Sequence, residues 1–222
     1  MGSVTRCEWA LLATILLYSF VPAFGGLLRI LELAGGPAIA PENPRAMTDP
    51  LPIVLHILSS FVFCIVGALQ FLPSLRRNTP ALHRRVGRTV VVAGLASALT
   101  GLWMTTHYTL PAEIQGPALF WARIVLSLSM IGLITWALFA IRSRNHLSHG
   151  AAMFRAYAIG QGASTQAVLG IGWIIVTGTE ALGPLRDGMM IIAWILNLLI
   201  AEMLIRRLLI NRDRTPLGLT AS

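Results

Sequence analysis

Six apolar runs, each long enough to cross a bilayer, occupy most of this chain and leave few folds open to it. A transmembrane helix needs about 20 mostly apolar residues at about 1.5 Å each. The runs cover residues 9–33, 51–73, 82–108, 117–141, 151–177 and 185–209. They predict an all-α fold, a polytopic membrane bundle of six transmembrane helices, with residues 1–222 as a single integral membrane domain. Charge agrees with this. Of the 222 residues, 12% are charged, about half of the ~25% that a soluble domain carries. So little charge cannot cover a soluble surface, which excludes a cytosolic globular protein and a disordered chain. It also excludes nucleic acid as a partner, because the high pI of about 11.2 comes from basic residues in short loops between the runs.

The charged residues narrow the chemistry further. All 17 basic residues are Arg, so no lysine amine is available for Schiff-base catalysis. The nine acids are scattered, and no apolar run places two of them side by side, which argues against a carboxylate dyad. Cys7 precedes the first run and Cys64 lies inside the second. Different depths make a disulfide between them unexpected, and two thiols cannot build a four-thiolate iron–sulfur site.

The breaks between runs carry turn chemistry. Residues 35–50 are Pro-rich, Thr79-Pro80 reads as a Thr cap with Pro opening the third helix, and Gly183-Pro184 precedes the sixth. Pro22 with Gly25-Gly26 predicts a kink in the first helix. That helix continues to Leu33 with no small-x-small cleavage site after it, so a retained helix is expected instead of a signal peptide. Arginines alternate between loops. Arg76 and Arg77 lie between runs two and three with Arg84, Arg85 and Arg88 at the start of run three, Arg142 and Arg144 lie between four and five, and Arg206, Arg207, Arg212 and Arg214 lie at the C-terminal end. The other loops mix Glu42, Arg45 and Asp49, then Glu113, then Glu180, Arg186 and Asp187. The positive-inside rule therefore predicts cytoplasmic termini. The lipid bilayer is the first partner, and anionic lipid at the cytoplasmic face is attracted by the arginine cluster.

An ionisable residue inside a span is costly and marks a candidate site. His56 shares a helical face with Ser60, Phe63, Gly67 and Gln70. His83 opens the third run, and Gly87, Gly94, Ser97 and Gly101 follow on about one face, giving either close helix contact or room for a flat ligand. His107 is about 24 residues further on, roughly 36 Å at helical rise, and cannot share a site with His83. His146 and His149 precede the fifth run, which holds Gln161 and Gln166 in its most polar stretch. Arg123 enters the fourth run with Glu113 as a candidate partner. In the sixth run Asn197 and Glu202 stand out, with an i,i+4 pair expected between Glu202 and Arg206.

Two levels emerge. His83, Arg88, His149, Arg155 and Glu202 gather at the inner end, and His56 with Arg123 at the outer. Two imidazoles can ligate a b-type haem iron from opposite faces while Arg pairs the propionates. The leading expectation is thus a haem b or other redox protein. His83 and His149 would be its metal ligands, Arg88 and Arg155 its charge partners, and His56 an outer ligand or proton relay.

One set of residues is familiar. Gly67-Ala68-Leu69-Gln70-Phe71, then His83-Arg84-Arg85-Val86-Gly87-Arg88, then His149 with Met153, Arg155 and Tyr157, and finally Asn197 to Glu202, resemble domain-of-unknown-function family 2306 of bacterial membrane proteins. The resemblance runs from about His56 to Glu202. It implies a multi-helix fold in the bacterial inner membrane. It singles out His56, Gln70, His83, Arg84, Gly87, Arg88, His149, Met153, Arg155 and Tyr157, and it implies no activity. One departure is visible: members often carry an Arg along the fifth helix, where this chain has Gln166-Ala167. Beside the haem reading stand a small-molecule or proton-coupled transporter or binder, with Gln161, Gln166, Asn197 and His56 lining a midplane cavity. A cofactor-free intramembrane enzyme and a structural subunit of a membrane complex complete the alternatives.

Overall fold

A computed structural model describes residues 4–39 and 44–207. Leu209, Glu42, Arg212 and Arg214, used above for the sixth span and the charge pattern, lie outside the described residues. The described chain is helical: α1 (Arg6–Leu33), α2 (Pro44–Thr48), α3 (Pro50–Ile65), a 3₁₀ segment (Val66–Phe71), α4 (Pro73–Asn78), α5 (Pro80–His107), α6 (Pro117–Arg142), α7 (His146–Gly160), α8 (Gly162–Thr177) and α9 (Gly183–Ile205). Six stretches are long and apolar enough to cross a membrane: α1, α3 with the 3₁₀ segment, α5, α6, α7 with α8, and α9.

Local sequence explains the ends. Thr5 and Glu8 form a capping box at the start of α1. Proline occupies the first turn of α3, α4, α5, α6 and α9, where its missing N–H costs nothing. Gly178 ends α8 at φ +73°, a left-handed position natural to glycine. Two expectations change. Thr79 sits at the cap position, but its hydroxyl donates back to the Leu75 carbonyl at 3.1 Å instead of capping α5. α7 begins at His146, so His146 and His149 lie within the fifth span and not ahead of it. Separately, Pro22 lies inside α1, which is continuous from Arg6 to Leu33.

The helices close into a ring. α1 packs on α3 and α8, α3 on α5, α5 on α6, and α6 on α7 and α9, while α9 also covers α7 and α8. Glu8 adds a tie across the ring, accepting the Ser74 N–H of α4 at 2.6 Å. The half of the bundle toward the α4 end is densely filled. Phe63 is fully buried among Val90, Ile134 and Ala156. It fits because Gly94 and Gly160 have no side chain: a Cβ there would approach its ring to 2.6 and 2.7 Å. The small face of α5 therefore serves helix contact. Gln70 covers Gly87, Phe63 covers Gly94, and His56 covers Gly101.

Candidate functional site

The other half of the bundle is hollow. A cavity of about 420 Å³ extends from mid-bundle to the end that carries α2, and side chains of all six spans line it. Ser60, Ser97, Ser127, Ser164 and Gln166 supply polar wall, and Pro22, Ile57, Phe61, Leu126 and Met130 supply apolar wall. Its ionisable lining, among the described residues, is His56, Cys64, Arg45, Arg123 and Tyr108.

His56 projects from α3 toward α5. Its Nδ1 lies 3.0 Å from the Ser97 carbonyl and 3.1 Å from the Thr100 hydroxyl. A carbonyl only accepts, so Nδ1 carries a proton and Nε2 is the nitrogen left for other contacts. Arg123 projects from α6. Its guanidinium donates to the Gln115 side-chain oxygen, and this replaces the expected Glu113 contact. Gln115 sits in the turn before α6 and reaches forward over the first two helical turns. Arg123 forms no ion pair among the described residues. The nearby acid, Asp187, is buried and otherwise engaged: its two oxygens accept the Gly116 and Leu119 N–H groups at 3.1 and 3.3 Å, capping α6 from α9. Arg45 donates to the Thr109 carbonyl at 3.2 Å. Tyr108 lies just beyond α5 and donates to the Asp49 carbonyl at 2.6 Å. Burial, and next the Asp49 carboxylate, raise its phenol above the ordinary value, so it remains a donor.

The fifth span is broken beside the cavity. Gln161 separates α7 from α8, and the carbonyls at the break take donors from other helices. Asn197 Nδ2 reaches Ala158 O at 3.1 Å, Trp194 Nε1 reaches Ile159 O at 3.1 Å, and Cys64 Sγ approaches Gly160 O at 3.5 Å. Irregular backbone at membrane depth requires such substitutes. Trp194 packs so closely on Gly162 that a Cβ there would sit 1.9 Å from its Nε1. Around the break, Gln161 Nε2 donates to the Ser19 hydroxyl and to the Tyr157 hydroxyl, both at 2.9 Å, and its oxygen accepts from Ser164 at 2.8 Å. Tyr18 bonds Thr165, and Thr165 donates to Asn197 Oδ1 at 2.6 Å. Gln166 donates to the Met190 carbonyl at 3.2 Å.

The inner-level residues do not converge in one open site. His149 Nδ1 bonds the Ala137 carbonyl at 3.0 Å, and His83 is within electrostatic range of His149. The Nδ1 of His83 is buried and has no hydrogen-bond partner among the described residues. Gln70 donates to the His83 carbonyl at 3.4 Å. Arg88 is exposed beside a shallow lateral groove, not directed into the bundle. Glu202 pairs with Arg155 across α7 and α9, through both guanidinium N–H positions, in place of the expected partner Arg206. Among the described residues no group of three or more His, Cys, Asp or Glu is placed to hold a metal ion. His107 is exposed and stacks on Trp103 at 4.5 Å between ring centroids.

Several lining residues escaped the sequence reading. Ser127 lies in an apolar run where one hydroxyl carries little signal, and Arg45 reads as a loop residue. The proline-rich stretch that holds Arg45 and returns it over the bundle was the available clue. No curated protein and no solved structure matches the chain. Residues 53–205, well over half of the chain, match the family model described as predicted membrane protein (DUF2306), and the chain belongs to that family.

Proposed function

We propose that this multi-pass membrane protein is a small-molecule binder or transporter whose binding site is the six-span cavity. The observation that carries the reading is one partly open cavity, reached by His56 and Arg123, to which every span contributes. Its volume of about 420 Å³ lies within the roughly 300–1,000 Å³ of ligand pockets. Intramembrane ionisable groups that face a cavity mark ligand and ion pathways, and a broken helix beside such a cavity is a recurrent transporter feature. With the arginine-rich loops on the cytoplasmic side, the cavity lies toward the outer face of a bacterial inner membrane. Arg76, Arg77, Arg84 and Arg85 then meet anionic lipid on the opposite side.

Native mass spectrometry of protein released from nanodiscs tests this reading. Wild-type protein is expected to carry a bound small molecule, and Ser127→Phe, which fills the cavity, is expected to lose it. An empty wild-type protein, or equal occupancy in a well-folded Ser127→Phe variant, overturns the reading.

A b-type haem between His83 and His149 has one observation in its favour, the buried and unpartnered Nδ1 of His83. Against it, Arg155 is committed to Glu202, Arg88 points outward, and Gly87 and Gly94 are filled by Gln70 and Phe63. A violet absorption band present in wild type, and lost in both His83→Ala and His149→Ala, would replace the cavity reading with this one.

A further inference from the structure

We infer that the cavity takes a carboxylate-headed amphiphile, its anionic end held by Arg123 and Arg45 and its hydrocarbon laid along the apolar wall. This rests on the reading of the cavity as a binding site. The first ground is charge. Among the described residues, two guanidinium groups line the space and no Asp or Glu does. Arg186 stands nearby and adds to the positive field at Arg123. Asp187 offsets part of that field, but its oxygens are taken up by the α6 backbone. A cation held inside a span without a carboxylate is costly, and an anionic ligand removes that cost.

The second ground is shape. Arg123 spends one nitrogen on Gln115. A guanidinium carries five N–H donors in a planar fork, and a carboxylate matches that fork with two parallel hydrogen bonds. The third ground is the division of the wall. Arg45 and Tyr108 lie at the α2 end, and deeper in, Phe61, Leu126 and Met130 form an apolar strip beside the hydroxyls of Ser60, Ser97 and Ser164. A ligand with a charged head and an apolar tail satisfies both ends. At about 420 Å³ the space suits one tail, toward the lower part of the pocket range.

Calorimetric titration of the protein in phosphatidylcholine nanodiscs tests this, with decanoate, methyl decanoate and decyltrimethylammonium as probes. Decanoate is expected to bind about tenfold or more tighter than its ester, as one charge-assisted hydrogen-bond pair implies. The ammonium probe is expected to bind more weakly than either. Arg123→Gln should weaken decanoate by about tenfold or more while leaving the ester unchanged, and Arg45→Gln should act in the same direction. Ester binding also reports that each variant is folded. Equal affinity for acid and ester in wild type, or tighter binding of the ammonium, overturns the ligand class and leaves the cavity as a binding site. Absence of saturable binding by all three probes, with no molecule bound in mass spectrometry, overturns the cavity reading itself.

Discussion

The two halves of the bundle use the same residue types in opposite ways. Toward the α4 end, Phe63 is clasped between two glycines, Arg155 meets Glu202, and Gln70 covers Gly87. Toward the α2 end, His56, Arg123 and five serines border open space. Histidine and arginine in a membrane span therefore do not identify a site by type. What separates the halves is whether neighbouring helices fill the volume beside them. In a bilayer, where lipid tails are as apolar as Leu, helices associate through such packing and through polar contacts. The filled half supplies it, and the hollow half forgoes it.

That contrast can be broken by measurement. Phe63→Ala opens a void in the filled half and should destabilise the protein by about 3–5 kcal/mol, the range for removing a buried phenylalanine ring. Reversible unfolding in mixed detergent micelles measures it. His56→Ala in the hollow half removes an interhelical hydrogen bond and should cost only about 1 kcal/mol by the same assay. If the two losses were equal, the hollow half would be a second core and the contrast would fail. Glu202→Gln should have the smallest effect. Its side chain and that of Arg155 are 38% and 36% exposed, so loss of the ion pair should cost about 0.2–1 kcal/mol. Raising the salt concentration should shrink that cost further. A larger, salt-insensitive loss would show that α7 and α9 are joined mainly through this pair.

The spans were legible because a run length is a one-dimensional property. Hydropathy placed all six, with ends within a few residues except at the fifth. There the helix extends back through His149 and His146, polar residues that belong to the interface and not to the apolar run. Gln161, Gln166, Asn197 and His56 were legible as interior groups, since a polar side chain in an apolar helix must face protein. Their partners were not. Gln115 and Glu113 flank the same turn, and sequence distance cannot say which reaches Arg123. Arg155 and Arg206 both lie near Glu202, and only the crossing of α7 with α9 decides between them. The cavity was the least legible feature, because it is a gap left by six helices and belongs to no single stretch of chain.

The interruption at Gln161 bears on how the protein is made. The fifth span leaves the ribosome before the residues that satisfy its open carbonyls, since Trp194 and Asn197 belong to the last helix. An unsatisfied carbonyl in hydrocarbon costs several kcal/mol. Without α9 in place, that segment is better off as one continuous rod. Its joint thus depends on α9, whose Asn197 and Trp194 take up the carbonyls that the break leaves open.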